Sequence, residues 1–278
     1  MKIDAHQHFW KYDPAEYRWI SEEDVVLKRD FLPTDLDPLL RENGIDGCIA
    51  VQARQTIEET RWLLELAASH SKVKGVVGWV PLCEPNVAES LDRFSQSPFL
   101  VGLRHVVQDE PDDHFILRED FNQGVNELAS RNLVYDILIF AKHLPQTIEF
   151  VDRHPELSFV LDHIAKPRIQ AHSFDTQWQK GMLELGKREN VACKLSGMVT
   201  EVVGDHWEAS LFIPYFETVL EAFGPARLMA GSDWPVCLLR SEYSRWHQTI
   251  RSLIRPLSAS EQSAILGENA TRVYQLSP

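Results

Sequence analysis

Short apolar, β-branched runs recur along the chain, and most are followed by a segment with helical spacing of its apolar positions. The runs fall at residues 3–9, 45–53, 73–82, 100–107, 133–140, 158–164, 191–195 and 227–230, which makes eight. Helical spacing marks 56–69, 87–94, 121–131, 145–154, 178–189, 213–223 and 243–254. Several strands read as nearly continuous apolar runs, as parallel strands covered by helices on the outside do. Eight strand-then-helix units in 278 residues fit a (β/α)8 barrel, the TIM barrel, with an open doubly wound sheet as the alternative. No linker or repeat divides the chain, so residues 1–278 are read as a single domain, with a helical tail at 259–274 packed on it. The stretch 11–38 is charged, aromatic and irregular, far longer than a usual βα loop, and loops of that length tend to be functional.

Composition narrows the partners. With 28 basic and 41 acidic residues the chain carries a formal charge of −13, which disfavours nucleic acid and anionic membrane surfaces. The cysteines Cys48, Cys83, Cys193 and Cys237 are widely spaced, so neither a disulfide framework nor a cysteine zinc site is expected. The N-terminus has no apolar signal region, and a reduced, cytoplasmic setting is the expectation. The segment 181–188 fits most of a phosphate-binding loop but lies in a helical stretch and lacks the final Ser or Thr. No nucleotide cofactor is expected. Oligomeric state is not readable.

The chemistry gathers at one end of the strands. Active sites of such barrels form at the C-terminal ends of the strands. Strand one ends in His6-Gln7-His8, and alternation of side chains sends His6 and His8 to the same face. A pair of hydrogen-bonded strand-end histidines is the plain alternative, because 11 histidines make one such pair unsurprising. Strand six, however, ends in Asp162-His163, strand eight in Gly231-Ser232-Asp233-Trp234-Pro235, strand four carries Arg104-His105 and strand seven Lys194. Polar residues at one end of five strands point to a site.

These motifs resemble the amidohydrolase superfamily, most closely its branch of sugar-acid lactonases of the L-fuconolactonase and L-rhamnono-lactonase type. The segments carrying the likeness are His6-Gln7-His8, 101–105, 160–163, 193–197, 223–228 and 231–236. The resemblance implies a distorted barrel that opens an aldono-1,4-lactone with water. Asp233 would be the general base, and His6, His8 and His163 would polarise the ring carbonyl. Arg104, His105, Lys194 and Gln52 would bind hydroxyls, with Trp10 or Trp234 stacking on the sugar. A single divalent ion such as zinc on His6, His8 and Asp233 is one version of this chemistry, and metal-free catalysis by the histidines is the other. The two-metal pattern of the wider superfamily does not fit, because strand five (135–140) has no histidine. Two alternatives remain at this stage: a single-metal decarboxylase or hydratase acting on an unsaturated carboxylic acid, and a non-catalytic sugar-binding barrel.

Overall fold

Parallel pairing in strict chain order joins β1 (Ile3–Gln7), β2 (Gly47–Val51), β3 (Val73–Gly78), β4 (Leu100–His105), β5 (Val134–Ile137), β6 (Phe159–Leu161), β7 (Val191–Leu195) and β8 (Leu228–Ala230). The computed structural model describes residues 1–204 and 206–277. Nearly every strand residue is buried, since one face looks into the barrel and the other onto a helical layer. That layer consists of α1 (Pro33–Glu42), α2 (Ile57–Ser69), α3 (Val87–Phe94), α4 (Glu119–Ala129), α5 (Leu144–Arg153), α6 (Thr176–Leu185), α7 (Ile213–Phe223) and α8 (Tyr243–Ile254). The fold is a TIM barrel.

The seam between β8 and β1 closes without a regular ladder. Beyond β8, the His8 amide donates to the Trp234 carbonyl at 2.7 Å and the Asp233 amide to the His6 carbonyl at 2.8 Å. Asp4 completes the join: its carboxylate accepts from the Ser232 amide at 2.8 Å and from the Tyr243 hydroxyl at 3.0 Å. The seam is therefore built from the same residues that carry the site.

The tail, α9 (Ala259–Ser263) and α10 (Asn269–Val273), stoppers the opposite end of the barrel. Ala270, Tyr274 and Leu276 pack against Ile3, Val134, Val160 and Met229. Burying these apolar faces contributes roughly 1.5–3 kcal/mol per large side chain. The Tyr274 hydroxyl reaches further in and donates to Asp136 at 2.7 Å.

The stretch 11–38 is not irregular throughout. Helix α1 begins at Pro33, where a missing amide hydrogen costs nothing, and the Leu32 amide donates to the Asp35 carboxylate at 2.9 Å. Pro38 inside that helix hid it from the sequence pattern, because proline usually ends a helix. What remains is a loop pinched at its base by paired backbone hydrogen bonds between Trp10 and Phe31, at 3.0 and 2.9 Å. Such a loop, closed at the neck and packed by its own side chains, is built like an Ω-loop, though residues 11–30 make it longer than the usual kind.

Candidate active site

At the C-terminal mouth of the barrel, side chains from β1 and from the ends of β6 and β8 converge. The β1–β2 register shifts between Asp4 and Gln7, and both His6 and His8 turn toward the interior, where their rings stand edge to face at 5.0 Å. Each ring is fixed through Nδ1. His8 Nδ1–H donates to the Val51 carbonyl at 2.8 Å, and His6 Nδ1–H to Asp162 Oδ1 at 3.2 Å. His163 Nδ1 meets the Ser196 hydroxyl at 2.9 Å. The three Nε2 atoms then surround Asp233 Oδ1 at 3.9 Å (His6), 3.4 Å (His8) and 3.8 Å (His163).

Protonation follows from burial. Burial pushes His6 well below its ordinary value despite the pull of Asp162, and takes His163 down to about 4 against Asp233 and Asp162. Burial alone would raise the Asp233 carboxyl, but the facing rings of His163, His8 and His6 outweigh it and hold the group well below the carboxylate range. The site at neutral pH is an anionic carboxylate beside the neutral imidazoles of His6 and His163. With their protons on Nδ1, the Nε2 lone pairs of His6 and His8 face each other at 3.3 Å. Two lone pairs at that distance repel unless a proton or a cation lies between them, a need that the Arg104 guanidinium, 3.3 Å from His6 Nε2, meets only from the side of His6. Nitrogen and oxygen ligands on a tetrahedral zinc ion stand roughly 3.3–3.6 Å apart, and the set His6, His8 and Asp233 has separations of 3.3, 3.4 and 3.9 Å. These residues fit one divalent cation.

Holding the cluster requires unusual backbone. His163, Ile164, Ala165 and Lys166 all lie in the left-handed region (φ 54°, 50°, 60° and 47°), as does Asp233 (φ 59°). Each such residue costs roughly 1–2 kcal/mol, more for branched Ile164. The Trp178 indole pins the turn by donating to the Ile164 carbonyl at 2.7 Å. Gly197 (φ 63°) makes room for it, since a Cβ there would come within 2.5 Å of the His163 ring.

One layer below, the barrel is filled with charge in place of hydrocarbon. Lys194 donates to Asp136 at 2.5 Å and lies 3.0 Å from Asp162 Oδ1. Arg104 donates to Asp162 Oδ2 at 3.0 Å and to the Gln52 carbonyl at 2.5 Å, and its guanidinium stands 3.3 Å from His6 Nε2. Two cations balance two carboxylates, so the layer is neutral. Burial raises Asp136 to about 6 even with Lys194 beside it, whereas Lys194, His6 and Arg104 together overcome burial at Asp162 and hold it well below its usual value.

Above the cluster opens a cavity of about 440 Å³. His8, His163, Asp233 and Arg104 form its floor, and His6 stands just beneath them. The other expected binding residues lie elsewhere. Lys194 is sealed in the ionic layer, and Gln52 is buried with its amide donating to the Arg104 carbonyl at 3.3 Å. His105 alternates outward from Arg104: its ring stacks on Phe115 at 4.8 Å and meets Glu110 at 2.6 Å. Trp10 and Trp234 are buried against Phe31, at 5.3 and 5.2 Å, and hold the Ω-loop together. The aromatic ring on the cavity wall is Trp19, from that loop, beside Glu16 and Arg18. Arg54 and Gln55 after β2, Gln108 after β4 and Lys166 after β6 complete the polar wall. Lys166 sits in the same strand-end motif as His163, a signal the histidine overshadowed; a polar position in the long loop gives no comparable signal for Trp19.

Comparison with known proteins agrees with this picture. The chain matches the family described as Amidohydrolase over residues 3–276. A Burkholderia multivorans protein named L-fucono-1,5-lactonase is 40% identical over 99% of this chain and 96% of its own length. A Burkholderia ambifaria protein of the same name is 36% identical, with 99% and 96% covered. The crystal structure of an amidohydrolase from Burkholderia multivorans with bound zinc superposes with a TM-score of 0.94 at 41% identity, over 100% of both chains.

Proposed function

The chain belongs to the amidohydrolase family, and we propose that it hydrolyses a sugar lactone to the aldonic acid, with L-fucono-1,5-lactone as the first substrate to test. The observation that carries this reading is the set of three Nε2 atoms 3.4–3.9 Å from one ionised carboxylate oxygen at the floor of a cavity. The named relatives, similar along their whole length, supply the substrate class and favour the six-membered 1,5 ring over the 1,4 ring expected from the motifs.

In this reading Asp233 takes a proton from a water as its oxygen attacks the ring carbonyl carbon. The carbonyl oxygen gains charge and is met by His163, whose Nε2 carries a proton when the Ser196 hydroxyl donates to Nδ1. The ring C–O bond then breaks, the leaving alkoxide is protonated from Asp233 or solvent, and the new carboxylic acid ionises. His6 and His8, held by Asp162 and Val51, present their Nε2 atoms beside the Asp233 carboxylate. A divalent cation on His6, His8 and Asp233 would supply Lewis-acid polarisation of the carbonyl. The zinc in the similar crystal structure supports zinc as the first ion to try.

Ring opening releases a proton, so a pH-indicator assay over a panel of 1,4- and 1,5-aldonolactones, with and without chelator and added zinc, tests the reading. Turnover of L-fucono-1,5-lactone that chelator suppresses and zinc restores is the expected result. Rates across the whole panel no faster than buffer would overturn it.

A further inference from the structure

We propose that Lys166 is a further catalytic residue of this site, its ammonium stabilising the negative charge that grows on the substrate as the ring opens. The inference rests on the lactone-opening reading above and deepens it.

The cations on the cavity wall differ in what already holds them. Arg104 is bound by Asp162 and the Gln52 carbonyl. Arg54 is paired with Glu16 and Glu59, and Arg18 donates to the Ala15 carbonyl within the exposed loop. Lys166 is half-buried on the same wall, and among the described residues no hydrogen bond or ion pair holds its ammonium. It hangs 5.6 Å from the centre of the Phe140 ring. Its charge reaches the half-buried Glu201 carboxyl only through space, beyond ion-pair distance. With no ion-pair partner, the Lys166 ammonium keeps its donors free for an anion that enters the cavity.

The backbone points the same way. Lys166 ends the run of four left-handed residues that begins at His163, and its amide donates to the His163 carbonyl at 2.9 Å. An extended exit from β6 would carry no such strain. The strain instead sets the Lys166 side chain and the His163 ring on one short turn beside the cavity, and strain of this kind persists where it positions reactive groups.

Charge bookkeeping assigns the role. The lactone is neutral, the tetrahedral species and the product are anionic, and a cation on the cavity wall therefore binds them better than the substrate. No proton leaves the ammonium.

Lys166→Met and Lys166→Arg are compared with the wild-type enzyme, loaded with zinc, on L-fucono-1,5-lactone. Lys166→Met is expected to lower kcat by about 10²-fold, the scale of losing one charge-stabilising donor, with KM changed less than about threefold. Inhibition by L-fuconate is expected to weaken by about tenfold or more, and Lys166→Arg to recover most of both losses. A Lys166→Met enzyme within about threefold of wild type in both readouts overturns the inference. A variant that fails to fold leaves a wild-type measurement in reserve: L-fuconate must inhibit more strongly than the neutral alditol of the same stereochemistry, and equal inhibition overturns the proposal. Wild-type enzyme that opens no lactone removes the activity reading and this inference with it, whereas lactone turnover with an unaffected Lys166→Met removes the inference alone.

Discussion

Replacing Lys194 with methionine would test whether the charged layer is a structural unit. Lys194 is fully buried and serves two carboxylates, Asp136 at 2.5 Å and Asp162 at 3.0 Å. Methionine fills much of the same volume, so the cavity contribution is small and the loss is electrostatic. Arg104 still neutralises Asp162, but Asp136 is left with only the Tyr274 hydroxyl. Breaking a buried pair from one side costs about 3–5 kcal/mol, roughly a fifth or more of the stability of an ordinary domain. The cost depends on pH. The Asp136 carboxyl is raised to about 6 by burial with Lys194 present, and without Lys194 it rises further. A carboxyl whose folded value lies above its unfolded value stabilises fully at pH below the unfolded value and loses that contribution as pH rises through the folded value. Denaturant unfolding of Lys194→Met should therefore show a larger loss at pH 8 than at pH 5.5. Adding Asp136→Asn, which removes the stranded charge, should return at least half of the loss at pH 8. A Lys194→Met penalty below about 1 kcal/mol at pH 8, or a double variant no better than the single, would refute the reasoning.

Three other substitutions separate chemistry from structure. Asp233→Asn removes the base while keeping its shape, and kcat/KM for lactone opening should fall by about 10²–10⁴; retained turnover would sink Asp233 as the base. Gly197→Ala puts a Cβ within 2.5 Å of the His163 ring at a left-handed φ of 63°. It should cost about 1–3 kcal/mol and depress kcat further than stability alone explains, read from activity and melting of the same sample. Burial pushes the Glu59 carboxyl up to about 7, against hydrogen bonds from the Arg54 and Ala53 amides. Its contribution to stability is thus fully present below about pH 4.5 and lost as pH climbs through 7, by at most about 3 kcal/mol. Glu59→Gln should flatten that part of the Tm–pH curve, and identical curves would refute the shift.

The barrel was readable because its strands are buried on both faces. Parallel strands under a helical layer become unbroken apolar runs, and the run at 191–195 coincides with β7 residue for residue. Helices 87–94, 213–223 and 243–254 likewise match at both ends. Helix α1 escaped notice because prolines at 33 and 38 read as stops, although the first costs a helix start nothing. Strands β1 to β6 end earlier than the apolar runs, because the chain there leaves the ladder to build the mouth of the barrel, whereas β8 ends with its run at Ala230.

The partners of the polar strand-end residues are a different matter, since they are set by contacts remote in sequence. In Arg104-His105 alternation requires that only one side chain enter the barrel, but nothing local says which; Asp162, 58 residues away, selects Arg104. Lys194 has the look of a pocket cation in sequence, and only the arrival of Asp136 from β5 and Asp162 from the end of β6 turns it into a buried counter-ion. Trp10 and Trp234 were natural candidates for sugar stacking because they flank the reactive residues. The loop folds over and buries both, and the aromatic side chain it leaves on the cavity wall is Trp19. The physical division is that residues whose environment is set by their own strand can be read along the chain. Residues whose charge must be matched, or whose surface must be covered, by a distant segment acquire their role only when that segment arrives. His6 shows both at once: the alternation on β1 brings it in beside His8, and Asp162 then fixes which nitrogen it presents.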